Sequence, residues 1–286
     1  MHSRVTSALR SMAVAALARS GGLSCAPAQA AGLPRIASMN VCTDQLLVSL
    51  ADPGQILGLS RFSRDAWQSF IADDARRFPM LSGGAEDLLV IKPDIVVASL
   101  FDKRSTRELL KANGLRLAEF AVPQNLDEVK AQIRQMGGIT GHPDRAAAEV
   151  ARLDAAIARV RQAAMQRHYR VLPLSRRGFV TGSDSLVSSL LTEAGLFNAA
   201  GDLGVSAGGF ASLESIVSLR PDFLLVSEAG DRAEDEGRAF LLHPALERFY
   251  PPSKRLVIPE RLTVCGGVML TEALDLLVSE LRRVER

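Results

Sequence analysis

The chain has 286 residues, which is enough for two domains of ordinary size. Hydrophobic residues make up 47% of it and charged residues 23%, a composition that indicates a globular protein with a sizeable core. The formal net charge is only +2. It falls to about −1 without the N-terminal Arg4, Arg10 and Arg19, which argues against nucleic acid as a partner.

The N-terminus has the features of a secretory signal peptide. Arg4 and Arg10 supply a positive region, Met12–Leu17 is a short apolar stretch, and Ala28–Ala30 gives a small-x-small cleavage site. We therefore expect residues 1–30 to be removed and the remaining chain to be exported as a soluble protein.

Lipidation of Cys25 is an alternative to this cleavage. It is disfavoured because Gly22 occupies a position where an apolar residue is expected. Cleavage after residue 30 leaves Cys42 and Cys265 in an oxidising compartment, where one disulfide between them is permitted but not required.

Residues 31–141 are predicted to form an N-terminal α/β lobe in which short apolar strands alternate with helices. Asn40 or Thr43 is expected to cap the first helix, and Asn113-Gly114 to end a later one. The predicted strands outside the repeat described below are Ile36–Met39, Ile56–Leu59 and Leu115–Phe120, and the predicted helices are Thr43–Leu50, Lys103–Ala112 and Leu126–Met136.

The clearest helix in the sequence begins at Pro143 and bridges the two halves of the chain. Its apolar residues recur at spacings of three and four and so share one face: Val150, Leu153, Ile157, Val160 and Ala164. Running from Pro143 to about Arg167 within the bridging segment 142–168, this helix is roughly 37 Å long, which is enough to span two lobes. A single rigid connection of this kind predicts only modest hinge motion.

Residues 169–286 are predicted to form a C-terminal α/β lobe that echoes the first one. Gly182-Ser183-Asp184 is expected to open a helix that Gly195 ends. The predicted strands outside the repeat are Gly178–Thr181 and Arg255–Ile258, and the predicted helices are Leu186–Ala194, Ala239–Phe249 and Met269–Arg283.

One segment occurs in both halves of the chain. Glu86–Val97 reads E-D-L-L-V-I-K-P-D-I-V-V, and Glu214–Leu225 reads E-S-I-V-S-L-R-P-D-F-L-L. Each copy predicts a helix closed by the cation before proline, followed by a buried parallel strand. The duplication indicates two lobes of one α/β design, each with a central, mostly parallel sheet. A cleft between such lobes is where small ligands bind.

Motifs for enzymatic or metal chemistry are missing from the sequence. There is no phosphate-binding G-x-x-x-x-G-K-[ST] loop, no G-x-S-x-G elbow and no G-x-G-x-x-G turn. His142, His168 and His243 have no ligand-like spacing, so each is expected to be structural rather than to bind a metal. We expect a protein that is not an enzyme and that holds no resident metal or cofactor.

Taken together, these blocks resemble the periplasmic substrate-binding proteins of ABC importers for cobalamin, ferric siderophores and haem. The similarity rests on R-I-A-S-M-N-V-C-T-D-Q-L-L at Arg35–Leu47, on the repeated segment, on the bridging helix and on C-G-G-V-M-L-T-E-A-L from Cys265. It implies a monomeric periplasmic protein that captures a corrinoid or ferric siderophore between its lobes and delivers it to a permease dimer in the inner membrane. Haem is the alternative ligand, and an exported enzyme a more distant one.

The resemblance also suggests which residues face the ligand, because family clefts are lined by loops at the strand ends. Aromatic rings in these loops are suited to stacking on a flat chelate, and arginines to pairing with its carboxylates. Alternatively, the arginines are solvated surface residues, and Phe62 and Phe179 belong to the core. The candidates are Arg61, Phe62, Trp67, Phe101, Arg176, Phe179 and Arg261.

Family members present one surface glutamate on each lobe to arginines of the permease, and the matching positions are Glu86 and Glu214. The alternative is that both only suit the dipole of a helix's first turn. By the same analogy Cys42 and Cys265 lie near the cleft mouth, which makes an inter-lobe disulfide possible. Two small buried thiols are the alternative there.

Overall fold

The structure is a computed structural model that describes residues 32–164, 168–227 and 240–284. The predicted signal peptide, residues 1–30, lies outside the described residues, as does the start of the helix predicted from Ala239. Within the described ranges, none of the helices combines the length and apolarity needed to span a membrane.

The first lobe is built on a parallel sheet of four strands with the order β2-β1-β3-β4. Asn40 caps the first helix, because its side-chain oxygen accepts a hydrogen bond from the backbone N–H of Cys42 at 2.9 Å. The strands are β1 Ile36–Ser38, β2 Ile56–Gly58, β3 Ile95–Ser99 and β4 Leu117–Phe120, and the helices are α1 Val41–Leu50, α2 Ala85–Ile91, α3 Arg104–Ala112 and α4 Leu126–Thr140.

The second lobe has its own parallel sheet, with the order β7-β5-β9-β10, and a separate antiparallel pair, β6-β8. Its strands are β5 Arg170–Pro173, β6 Phe179–Thr181, β7 Phe197–Asn198, β8 Gly208–Phe210, β9 Phe223–Val226 and β10 Arg255–Val257. The remaining helices are α5 Pro143–Ala164, which joins the lobes, and α6 Leu186–Glu193, α7 Leu213–Leu219, α8 Pro244–Phe249 and α9 Leu270–Val284. Short 3₁₀ turns occupy Pro53–Gln55, Arg61–Arg64, Asp74–Arg77, Arg176–Gly178, Ala199–Leu203, Pro252–Lys254 and Glu260–Leu262.

The strand predicted at Gly178–Thr181 is present, but it does not join the main sheet of the second lobe. It pairs antiparallel with β8, and the counterpart of β1 is β5, which the sequence analysis missed. Gly182 follows β6 so closely against the backbone of Ser206 that a side chain there would clash. The absence of a side chain at Gly182 lets the two backbones approach closely, as the tight antiparallel pair requires.

The repeated segment has the same local structure in both lobes. Lys92 and Arg220, the residues before proline, both adopt the left-handed conformation, with φ of 45° and 49°, and end their helices. Asp94 accepts a hydrogen bond from the backbone N–H of Arg35 at 2.7 Å, and Asp222 accepts one from Arg170 at 2.8 Å. The Pro-Asp pair therefore ties each repeated helix to the first strand of its lobe.

Helix α5 packs against both lobes through the predicted apolar face. Val150, Leu153, Ile157 and Val160 are all buried, which confirms the periodicity read from the sequence. The same apolar cluster continues without a break into both lobes, and residues Leu33–Arg286 form one compact unit. The two sheets therefore share a core around α5.

Helix α4 extends further than predicted, through Gly137 and Gly138 to Thr140. Gly141 ends it in the left-handed conformation, with φ of 76°. Gly137 lies against Ala146 of α5, so the absence of a side chain allows the two helices to approach closely. A side chain at position 138, by contrast, would begin in open space, because a Cβ there has no neighbour within 4 Å.

This pair of adjacent glycines gives a matched stability test. Gly137→Ala is expected to destabilise the protein by about 1–3 kcal/mol, because even a Cβ there overpacks the contact between α4 and α5. Gly138→Ala is expected to be neutral or to stabilise by up to about 1 kcal/mol, because it lowers the entropy of the unfolded chain without meeting a neighbour. Urea unfolding of the two variants measures both effects. Equal destabilisation by the two substitutions would contradict the packing assigned to Gly137.

Candidate functional site

A cavity of about 280 Å³ lies between the two lobes. On the first lobe it is bounded by segments that follow the carboxyl ends of β1, β3 and β4, the edge where parallel sheets bind ligands. On the second lobe it is bounded by the start of α6, by Thr181 and Ala207 near the antiparallel pair, and by the loop before α9. The lining residues are Asn40, Cys42, Thr43, Leu46, Ser99, Phe120, Ala121, Val122, Pro123, Gln124, Gln132, Thr181, Ser185, Leu186, Val187, Ala207, Thr263, Val264, Cys265 and Gly266.

The wall of the cavity combines apolar side chains with neutral amides and hydroxyls. Among the described residues that line it, none carries a formal charge, an imidazole or a phenol. Asn40 donates from Nδ2 to Asp102 Oδ1 at 3.2 Å, and the backbone N–H of Ser99 donates to Asp102 Oδ2 at 2.8 Å. Asp102 thus holds two lining residues in place. The wall as a whole offers uncharged hydrogen-bonding groups.

Cys42 and Cys265 are joined in a disulfide that forms part of this wall, with their Cα atoms 5.3 Å apart. Cys42 is in the first turn of α1 and Cys265 precedes α9, so the bond connects the two lobes across 223 residues of chain. This geometry agrees with the inter-lobe pairing suggested by the family resemblance. The oxidation state in solution is a prediction that thiol titration addresses.

On both lobes, exposed aromatic residues lie within three positions of cavity-lining residues along the chain. Phe101 is 79% exposed and comes two residues after the lining residue Ser99. On the second lobe, Phe179 and Phe210 form an edge-to-face pair with ring centroids 5.4 Å apart, and Phe210 is 72% exposed. Phe210 was not predicted to face the ligand, because β8, whose pairing with β6 brings the two rings together, was not predicted from the sequence.

Three of the predicted ligand-binding residues lie in the segment after β2. Arg61 stacks over the ring of Phe62 at 4.8 Å, and Phe62 is exposed, so the alternative that Phe62 belongs to the core was wrong. The same correction applies to Phe179. Trp67 reaches the other lobe, where its indole N–H donates to Glu260 Oε2 at 2.7 Å. None of these three side chains is part of the cavity wall.

The two remaining candidates, Arg176 and Arg261, belong to 3₁₀ turns of the second lobe and are half-buried. None of the seven predicted ligand-binding side chains is among the residues that line the cavity. Contact between a ligand and these two arginines stays a prediction, and it would have to occur at the mouth of the cavity.

A buried polar cluster supports the segment that carries Trp67. Asp44 of α1 is fully buried and accepts hydrogen bonds from the backbone N–H of Ser60 at 3.1 Å and from Ser60 Oγ at 2.5 Å. Gln45 accepts one from the backbone N–H of Phe70 at 2.8 Å. Burial raises the pKa of Asp44 to about 7, and the hydrogen bonds from Ser38 and Ser60 only partly oppose that rise.

Glu86 and Glu214 are exposed in the first turns of α2 and α7, the equivalent helices of the two lobes. Hydrogen bonds from its own backbone N–H and from Ser212 lower the pKa of the Glu214 carboxyl. Both positions therefore present a carboxylate to solvent at the same point of each repeat.

The three histidines in the described part of the chain have structural partners. His142 Nε2 lies 3.2 Å from Asp52 Oδ2, His168 packs beside Phe197, and His243 caps α8 by accepting from the backbone N–H of Ala245. Across the described ranges, no group of three or more His, Cys, Asp or Glu side chains converges on a metal-sized site.

Two α/β lobes, each built on a parallel sheet, are joined by one long helix and have a cavity between them. This architecture defines a class of ligand-binding proteins. Residues 36–250 match the family described as periplasmic binding protein. The chain therefore belongs to the periplasmic binding protein family.

Three similar proteins indicate the range of that family. A cobalamin-binding protein of Halobacterium salinarum is 23% identical over 224 residues, which cover 75% of this chain and 59% of that protein. This chain thus spans less than two thirds of the length of that curated relative.

Two solved structures share the fold. The periplasmic heme-binding protein RhuT from Roseiflexus sp. RS-1, in apo form, has a TM-score of 0.73 and 24% identity, covering 88% of this chain and 100% of that one. The ABC-type Fe3+-hydroxamate transport system from Saccharomonospora viridis has a TM-score of 0.68 and 20% identity, covering 87% and 94%. At these identities the similarity establishes the fold.

The buried carboxyl of Asp44 predicts a specific pH dependence of stability. Its pKa is about 7 in the folded protein against an ordinary value of 3.8, so the folded state holds the proton more tightly. The resulting stabilisation is complete below about pH 3.8 and is lost as the pH rises through about 7. Asp44→Asn keeps an acceptor for Ser60 and is expected to flatten the decline in Tm between about pH 4 and pH 7. The exposed Asp73→Asn is the control, and a decline that survives in Asp44→Asn would show that another group causes it.

Proposed function

We propose that this protein is the periplasmic substrate-binding component of an ABC importer. In this role it captures a corrinoid or ferric siderophore between its lobes, as a monomer, and delivers it to a permease dimer in the inner membrane. The observation that carries the proposal is the cavity between two pseudo-equivalent lobes of a periplasmic binding protein, lined from both sides. The role is binding without turnover.

The chemistry of the cavity wall supports a chelate that brings its own metal coordination. Corrinoids and siderophores surround their metal with ligand atoms of their own, so the protein needs to supply only shape and hydrogen bonds. The neutral amides and hydroxyls of Asn40, Gln124, Gln132 and Ser185 suit such a ligand. The exposed rings of Phe101 and Phe210 are proposed to cover the part of the ligand that extends beyond the cavity, because exposed aromatic rings are available for stacking.

Haem is the second candidate ligand. The relative RhuT is named as a heme-binding protein, which favours this alternative. Against it, the described cavity wall offers no imidazole, phenol or free thiol to the iron. Haem binding here would therefore need an iron ligand from the rim.

A thermal-shift panel of cyanocobalamin, ferrioxamine, ferrichrome and haemin tests the proposed function. We expect a corrinoid or a siderophore to raise Tm by roughly 5–10 °C at a concentration near 100 times its Kd. Phe210→Ala is expected to weaken that ligand's binding about tenfold or more through lost stacking. The control is Phe197→Ala, which removes an exposed ring that packs beside His168. A shift with haemin alone would favour the second candidate, and no shift with any probe would contradict the proposed ligand class.

Docking to the permease is proposed to use Glu86 and Glu214. A two-fold symmetric permease offers two equivalent basic pockets, and the repeat presents two equivalent carboxylates. Charge pairs of this kind steer association and fix register. Glu86→Ala and Glu214→Ala are each expected to leave folding and ligand affinity intact and to impair uptake, the double variant more so. Reversal to Arg is expected to be more severe because it brings like charges together.

The matched control is Glu247→Ala, which removes an exposed carboxylate of α8 outside the repeat. Uptake by cells that express each variant with the cognate permease is the measurement, alongside the Kd of the purified protein. Wild-type uptake by the double alanine variant would remove the docking role and leave both residues as first-turn glutamates suited to the helix dipole.

A further inference from the structure

The loop Glu260–Gly266, between β10 and α9, is joined to the first lobe at two points. At one end, Glu260 Oε2 accepts the hydrogen bond from Trp67 Nε1 at 2.7 Å. Near the other end, Cys265 is bonded to Cys42. Between these points the loop supplies Thr263 and Val264 to the cavity wall, so the segment held at both ends is also a wall of the cavity.

The contact of this loop with the first lobe is close. A side chain at Gly266 would collide with Pro123 and Val129 of the first lobe, and one at Gly267 would come within 3.4 Å of Leu46. The two glycines are what allow the loop to lie against that lobe. The disulfide and the hydrogen bond therefore add to an interface that is already packed.

Both attachment points on the first lobe are supported by helix α1. Cys42 is in the first turn of this helix. In the next turn, the buried side chain of Asp44 accepts a hydrogen bond from Ser60, and that of Gln45 accepts one from Phe70. Ser60 and Phe70 lie at either end of the segment that carries Trp67. The backbone N–H of Trp67 is itself bonded to Asp65 Oδ1 at 2.9 Å. The indole donor is thus held at a fixed position, and it faces a carboxylate on the opposite lobe.

We propose that the Glu260–Gly266 loop is a latch on the cavity, with the Trp67–Glu260 hydrogen bond as its reversible attachment and the Cys42–Cys265 disulfide as its permanent one. When the hydrogen bond breaks, the loop pivots about Cys265 and this side of the cavity opens. Five residues reach at most about 17 Å, so the disulfide limits that opening while it is intact. Trp67 and Glu260 are positioning residues that control access to the cavity, whichever ligand it holds.

The latch can be tested without a ligand by the rate at which dithiothreitol reduces the disulfide. A dithiothreitol thiolate attacks one cysteine sulfur, and the other cysteine sulfur leaves as a thiolate and takes up a proton. The second thiol of the reagent then attacks the mixed disulfide, which forms the cyclic disulfide of oxidised dithiothreitol and frees the second cysteine. Because Cys265 is only 2% exposed, attack at its sulfur requires the loop to move, whereas attack at the half-buried Cys42 does not, so the variants are expected to speed the first route. Alkylation at Cys265, followed by peptide mass spectrometry, measures the rate.

We expect Trp67→Phe and Glu260→Ala each to raise the reduction rate about three- to tenfold, because a hydrogen bond to a charged acceptor is lost. The double variant is expected to be no faster than the faster single one, since both changes remove the same bond. Glu260→Gln, which keeps an acceptor, is expected to be intermediate. Glu247→Ala, which removes an exposed carboxylate of the same lobe, is expected to reduce at the wild-type rate.

Trp67 is the chain's single tryptophan, so its fluorescence gives a second readout. In Glu260→Ala we expect a red-shifted emission and stronger quenching by acrylamide than in wild type, with an unchanged far-UV circular dichroism spectrum. Wild-type reduction rates in all folded variants, or rate increases that simply multiply in the double variant, would overturn the latch. Protection of the disulfide by cyanocobalamin or haemin would connect the latch to loading. If none of cyanocobalamin, ferrioxamine, ferrichrome and haemin binds, the proposed function fails while the reduction result stands.

Discussion

The fold depends on the buried face of α5. Val150, Leu153 and Val160 are enclosed by α4 on one side and α9 on the other, and the apolar cluster that they join extends into both sheets. Burial of this face stabilises the bridging helix and joins the lobes at once. In two-domain proteins with separate cores, the domains rotate about their connection. Here a large rotation would expose part of the shared core, at about 25 cal/mol for each Å² of apolar surface. The shared core therefore favours local changes at the cleft over separation of whole lobes.

The pseudo-symmetry of the lobes follows from a few backbone contacts. In each copy of the repeat, a cation in the left-handed conformation ends the helix, and the Pro-Asp carboxylate bonds the residue at the start of the central strand. Both sheets also have equivalent strand orders. The cavity is nevertheless unequal, because the second lobe adds the β6-β8 pair and its aromatic rings. The scaffold is duplicated, whereas the surfaces that would contact a ligand differ between the lobes.

Much of the architecture could be predicted from the sequence because its signals are local. The period of α5, the helix-stop at Lys92 and the buried strand after Pro93 are each encoded within a few neighbouring residues. Other elements were missed for identifiable reasons. Strand β5 was missed because Pro173 and Arg170 weaken its apolar pattern, and the end of α4 because Gly137 serves helix packing rather than termination. The two-domain boundaries at 141 and 168 stay a prediction, since the lobes form one compact unit.

The site was harder to predict than the fold because it is assembled from distant parts of the chain. The Trp67–Glu260 hydrogen bond joins residues 193 positions apart, and no local pattern distinguishes this tryptophan from one that faces a ligand. Phe101 and Phe179 were identified as aromatic residues in loops, but Phe210 depended on a strand pairing that short glycine-rich segments do not reveal.

In a binding protein whose lobes are rigidly joined, the ligand has to enter and leave through local movements at the cavity. The lobes share a core and are joined covalently beside the cavity, so large hinge opening is opposed on two counts. A non-covalent contact at the same edge can break and reform with a free-energy change that thermal fluctuation supplies. The neutral cavity wall is consistent with such exchange, because no buried charge has to be desolvated or left unpaired when the ligand leaves. The rigid frame keeps the entropic cost of ordering the protein on binding low. The neutral lining allows the ligand to be released.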